Sequence, residues 1–143
     1  MLIVSTGCDR GRLFEQNQDI PDAFWEIEFK PEFHVDILDT TANYAFYINV
    51  RNTEHYRYSN LFVFLQTHFP NGNMTRDTIE CVLAEPSGRW LGHHSGNMIE
   101  HQILLNPALR FPLSGQYLFR IEHAMREDLK GITSIGIRIE ESR

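Results

Sequence analysis

Apolar residues at every second position recur along this chain from residue 24 almost to its end, and that period of two most constrains its fold. Trp25, Ile27 and Phe29 fall on one face of a first predicted strand, and Phe33, Val35 and Ile37 on one face of the next. Tyr44, Phe46, Ile48 and Val50 alternate with Ala45, Tyr47, Asn49 and Arg51. Leu61–Leu65 is apolar on both faces, as a central strand requires. Ile79, Cys81 and Leu83, then Ile99–Leu105, then Tyr117, Phe119 and Ile121, and finally Ile135, Ile137 and Ile139 continue the series. Turn-forming clusters separate the runs: Lys30-Pro31-Glu32, Phe69-Pro70-Asn71-Gly72-Asn73, Glu85-Pro86-Ser87-Gly88 and Ser114-Gly115. The best helical candidate, Ala124–Lys130, spans one or two turns and stops at Gly131. The expectation is an all-β chain forming a single antiparallel β-sandwich, jelly-roll-like in its crossings, with about eight or nine strands.

Composition narrows the function classes. The chain has 143 residues, enough for one domain with a sizeable core, and 42% of them are hydrophobic. Its 19 acidic and 13 basic residues give a net charge of −6, which argues against electrostatic binding to nucleic acid or to an anionic bilayer. No apolar run approaches the roughly 20 residues of a membrane-spanning helix. With only Cys8 and Cys81, no C-x-x-C metal or redox site can form, and Cys81 reads as a core residue.

Nucleotide-binding, zinc-protease and serine-hydrolase signatures are lacking, so no catalytic residue and no cofactor is expected. His93 and His94 read as a solvated hairpin tip rather than a metal pair, because no third ligand is positioned by sequence. Glu26 and Glu28, expected on the outer face of the first strand, read as side chains facing water rather than as a catalytic carboxylate pair.

Near the start, Met1-Leu2-Ile3-Val4-Ser5-Thr6-Gly7 is a short apolar stretch ending in small residues immediately before Cys8. These residues fit two readings: the tail of a lipoprotein signal ending at a lipidated cysteine, or an ordinary N-terminus with an incidental Cys. Residues 9–22 are polar and aperiodic and read as a tether, which leaves 23–143 as the sandwich domain. His55-Tyr56-Arg57-Tyr58 has the Tyr and Arg composition favoured at interfaces, and Trp90 stands among glycines in Gly88-Arg89-Trp90-Leu91-Gly92. Tyr rings packed on the sandwich with wet hydroxyls would produce the same composition.

Taken in order, several blocks resemble the gliding motility-associated lipoprotein GldH family of Bacteroidota. They are Cys8-Asp9; Trp25; Val50-Arg51-Asn52 with Tyr56-Arg57-Tyr58-Ser59-Asn60-Leu61; Asp77-Thr78-Ile79-Glu80; Gly88-Arg89-Trp90-Leu91-Gly92; Gly115-Gln116-Tyr117; and Ile135-Gly136-Ile137-Arg138-Ile139. The resemblance implies a non-enzymatic lipoprotein of the cell envelope, lipid-anchored to a membrane through Cys8, with other envelope proteins of the gliding and secretion machinery as partners. On that reading Arg51, Tyr56, Arg57, Tyr58, Asn60 and Trp90 are the candidate partner surface. The alternative from another class is a glycan- or small-ligand-binding sandwich module.

Overall fold

The computed structural model describes residues 12–142. Among them eleven strands form: β1 (Arg12–Asp19), β2 (Phe24–Trp25), β3 (Glu32–Ile37), β4 (Tyr44–Thr53), β5 (Asn60–His68), β6 (Met74–Val82), β7 (His93–Ser95), β8 (Met98–Leu109), β9 (Gly115–His123), β10 (Leu129–Lys130) and β11 (Ile132–Glu141). Helical structure among the described residues is confined to one 3-10 turn, Pro21–Ala23. Eight of the strands have six residues or more; the excess over the expected count is the two- and three-residue pieces β2, β7 and β10.

The strands lie in two main layers. One sheet has the order β1-β11-β4-β8-β7 and the other β3-β9-β5-β6, with β2 and β10 paired as a small clasp. Counting only the long strands in chain order, the sheets read 1-8-3-6 and 2-7-4-5. Every connection between consecutive long strands therefore crosses from one layer to the other, except the β5–β6 hairpin. That is the double Greek-key order of a jelly roll. The hairpin turns at Pro70–Asn73, where the Phe69 N–H donates to the Asn73 carbonyl at 2.8 Å and Gly72 takes a φ of +92°.

The inner faces carry the predicted alternation. Phe33, Val35, Ile37, Ile48, Val50, Tyr117, Phe119, Ile121, Ile135, Ile137 and Ile139 are all buried in one cluster. Cys81 is a buried free thiol within it, and burial pushes its pKa up to about 12, so it is a packing residue and not a nucleophile.

Three expectations need correction, and a fourth gains a detail. Residues 12–19 of the expected tether are an edge strand, β1, paired antiparallel with β11 from Arg12↔Glu140 to Asp19↔Ser134. Residues 26–29 continue no strand: the Phe29 N–H returns to the Glu26 carbonyl at 2.9 Å, and the Trp25 indole N–H donates to the Phe29 carbonyl at 2.7 Å. Trp25 is thus fully buried while Ile27 is 43% exposed, and Glu26 and Glu28 share no strand face. Ala124–Lys130 forms no helix. Arg126 adopts a φ of +72°, and buried Leu129 begins β10, opposite Trp25. Finally, Leu61–Leu65 lies inside its sheet as expected, but Phe62 and Phe64 face outward, Phe64 under the Arg76 guanidinium at 4.1 Å.

Candidate functional site

Two of the segments expected to form a partner surface meet at one end of the sandwich. The Ser59 carbonyl, in the β4–β5 loop, accepts the N–H groups of Leu83 and Ala84 at 2.8 and 3.0 Å. Ala84 in turn pairs with Trp90, and the Leu91 N–H donates to the Leu83 carbonyl at 2.9 Å. Backbone hydrogen bonds thus hold the two loops together.

Of the expected residues, Arg57 is exposed, and Tyr58 and Trp90 are half-buried. The Tyr58 hydroxyl donates to Glu127 Oε2 at 2.6 Å, which raises its pKa, and Asn60 Nδ2 donates to Glu80 Oε2 at 2.9 Å. Arg57, Tyr58 and the Glu127–Lys130 segment line a shallow hollow of about 230 Å³. Tyr56 belongs to the core instead. It is only 4% exposed, donates to the Asn60 carbonyl at 2.7 Å, and burial raises its pKa. Gly131 packs so closely on it that an added Cβ would lie 2.9 Å from the Tyr56 backbone. Arg51 sits apart, on the outer face of β4 and paired with Glu100 at 3.2 Å. Cys8 lies outside the described residues.

The outer face of the five-stranded sheet holds a polar groove of about 350 Å³. Asn17 of β1, Gly136 of β11, Asn49 of β4 and Gln102 of β8 stand in one row across four strands. Glycine is required within that row: a Cβ at position 136 would collide with Asn17 Oδ1 and with the Gln16 carbonyl. Because the space is open, Asn17 Oδ1 reaches across to accept from Asn49 Nδ2 at 3.0 Å, and Glu15 Oε2 accepts from the same nitrogen at 3.0 Å. These two acceptors settle which end of the Asn49 amide is nitrogen. Its oxygen, Oδ1, is buried with no partner, and so is Arg51 Nε two residues along the same face. One unsatisfied acceptor and one unsatisfied donor are thus buried beneath the groove. Beside it, Arg138 holds Glu15 at 2.8 Å and Glu140 at 2.6 Å.

A larger cavity of about 600 Å³ lies between the layers, where β6 and β8 run past one another at the margin of the sandwich. Phe46, Leu65, Ile79, Ile103, Leu105 and Phe119 wall it, and Phe69, Phe111 and Tyr117 close one end. Ring contacts fix those aromatic side chains: Phe69–Tyr117 at 5.4 Å, Phe111–Tyr117 at 5.1 Å and Phe46–Phe119 at 5.1 Å between centroids. The Tyr117 hydroxyl donates to the Leu113 carbonyl at 2.8 Å.

The histidines divide by environment. His93 and His94 lie exposed on β7 opposite Glu100 and Ile99, so they point to opposite sides of the sheet. No group of three or more His, Cys, Asp or Glu suited to a metal occurs among the described residues. His101 is buried, and its Nε2 lies 2.8 Å from Asn52 Oδ1. Because Asn52 Nδ2 is committed to the Thr53 carbonyl, Oδ1 must accept, and the His101 proton is on Nε2. Burial lowers the His101 pKa to about 4, so the ring is neutral near pH 7.

Known proteins place the chain. The GldH lipoprotein family matches residues 12–139, nearly all of the jelly roll. The chain is 35% identical to the gliding motility lipoprotein GldH homolog of Christiangramia forsetii, across 99% of this chain and 91% of that protein. The chain belongs to the GldH lipoprotein family. The gliding motility lipoprotein GldH of Flavobacterium johnsoniae is 29% identical, across 97% of this chain and 91% of its own length.

In fold, the chain is similar to the crystal structure of a carbohydrate-binding module specific for non-crystalline cellulose. The TM-score is 0.51 at 9% identity, over 90% of this chain and 73% of that one. Family membership carries a membrane-anchored place in the cell envelope. Among the described residues no helix is long and apolar enough to cross a membrane. Sequence reasoning missed both the groove and the cavity. The only local trace of the groove is Gly136, set between isoleucines in a strand where a side chain would otherwise stand.

Proposed function

We propose that this GldH-family protein is a non-enzymatic component of the gliding motility and secretion machinery, anchored through Cys8 and working by protein contacts. The observation that carries this reading is the family match across nearly all of the jelly roll, together with the tied loop end that offers Arg57, Tyr58 and Trp90. Residues 1–8 act as the end of a lipoprotein signal, and the acyl chains on Cys8 hold the domain at a membrane face. Two or more chains supply firm attachment where one gives only marginal binding.

The test is co-purification of envelope partners from cells carrying Arg57→Glu with Tyr58→Ala, with thermal unfolding as the control for folding. Loss of the partner proteins from a variant that still unfolds cooperatively is the expected result; full retention contradicts the reading. Separately, Cys8→Ser is expected to move the protein from the membrane fraction to the soluble fraction. An unmodified Cys8 mass in the native protein would overturn the anchor.

A second reading, glycan binding on the five-stranded sheet, rests on the polar lining of its groove, where Asn17, Asn49, His93, Glu100 and Gln102 meet. Side-chain amides and a carboxylate on one face match the donor and acceptor pattern of sugar hydroxyls. Affinity electrophoresis against soluble polysaccharides tests it, with Asn49→Ala as the variant expected to lose retardation.

A further inference from the structure

The cavity between β6 and β8 points to a ligand that neither the family nor the proposed contact surface accounts for. Its volume of about 600 Å³ falls in the range of small-molecule sites, and its apolar walls are shaped by aromatic rings that hold one another in place. Its long wall follows β8 from Ile103 to Leu109, six residue steps or roughly 20 Å. That is the length of an extended palmitoyl chain.

Strand edges on both sides of the opening raise the question of a peptide occupant, and their sequences speak against it. β8 carries Pro107, which has no N–H to offer an added strand. β6 carries two exposed charged residues along its edge, Asp77 and Arg76, and Arg76 is already drawn to Phe64 and Glu122. Edges defended in this way resist pairing with a partner or with a second copy of the chain. The occupant must therefore use the side-chain walls and not the backbone. Where β8 ends, Arg110 borders the cavity; it is exposed and makes no ion pair among the described residues. The carboxylate of Glu80, the other acid on the margin beside Asp77, is already engaged by Asn60. The ligand is thus long, apolar and negatively charged at the end beside Arg110.

We propose that the cleft between β6 and β8 binds a long-chain fatty acid, its acyl chain between the two sheets and its carboxylate at Arg110. The inference is independent of the partner surface. The test is titration of the unacylated full chain with a fluorescent long-chain fatty acid, followed by displacement with palmitate. Saturable binding with one site per chain is expected, with palmitate displacing the probe and hexanoate failing to do so.

Leu105→Trp fills the cleft and is expected to weaken binding at least tenfold. Arg110→Glu, at an exposed position that does not threaten folding, is expected to weaken palmitate about fivefold and to leave its methyl ester unaffected. No saturable binding by the folded native chain, or affinity unchanged in Arg110→Glu together with a folded Leu105→Trp, would overturn the proposal.

Discussion

The two long margins of this sandwich are built differently, and the contrast separates what holds the fold from what is free to bind. At one margin β1 and β3 face each other and the gap is closed. Gln18 Nε2 donates to the Glu32 carbonyl at 2.6 Å between the layers, Ile20 is buried, and the chain crosses to Trp25, which is fully covered. At the other margin β6 and β8 leave the cleft of about 600 Å³. The physical difference is where the connections run. The β1–β3 crossing lies along its margin and plugs it with side chains. The β6–β8 connection leaves from the Ser59 end, and β7 covers only Met98–Glu100 of β8.

The sharpest way to break this comparison is to truncate one buried group at the closed margin. Trp25→Ala removes the ring that meets His123 edge-on at 5.0 Å between centroids and deletes the indole N–H bond to Phe29. It is expected to cost about 3–5 kcal/mol, read by urea unfolding. Ile79→Ala on the open margin lines space that is already empty and should cost less than about 1.5 kcal/mol. Equal costs would show that the open margin is as much a part of the core as the closed one.

The next effect is pH-dependent. His101 has a folded pKa of about 4 against an ordinary value near 6.5, so the unfolded chain takes up the proton first. Its neutral burial contributes full stability above pH 6.5, and that contribution is lost as the pH falls from 6.5 toward 4, reaching about 3 kcal/mol. His123, lowered in the same direction by burial, steepens the fall. Melting temperature against pH checks this: His101→Gln should flatten the profile, and an unchanged slope would contradict it.

Gly136→Ala follows, at about 1–3 kcal/mol, because the added methyl strikes both Asn17 and the Gln16 backbone. It should release β1 from β11, seen as faster amide exchange in residues 13–19. The smallest effect belongs to the exposed Arg89–Glu85 pair, where Glu85→Gln should leave the urea unfolding midpoint essentially where it is, because solvent screens the pair.

How much of this was legible in the sequence follows from where each residue's environment comes from. Runs such as Phe33-Val35-Ile37 and Ile135-Ile137-Ile139 carry their burial in their own spacing, so the sandwich and its core could be read directly. β1 could not. It is an edge strand with polar residues on both faces, Gln16 and Gln18 beside Glu15 and Asn17, and its partner β11 is more than a hundred residues away. Trp25-Ile27-Phe29 has a strand's spacing but closes a turn, because the indole N–H finds the Phe29 carbonyl. Tyr56 reads as a loop residue, yet it is buried by Gly131, which approaches from the far end of the chain. The cleft exists only because β6 and β8 become neighbours across two layers, a relation that no local pattern contains.

Hydrogen exchange of the unacylated chain with and without palmitate tests the central contrast most directly. The expected result is slower exchange confined to Thr75–Ile79 of β6 and Ile103–Leu109 of β8, with β1 and β3 unchanged. No change at β6 and β8, or protection that falls on β1 and β3, would contradict the assignment of one margin to stability and the other to binding.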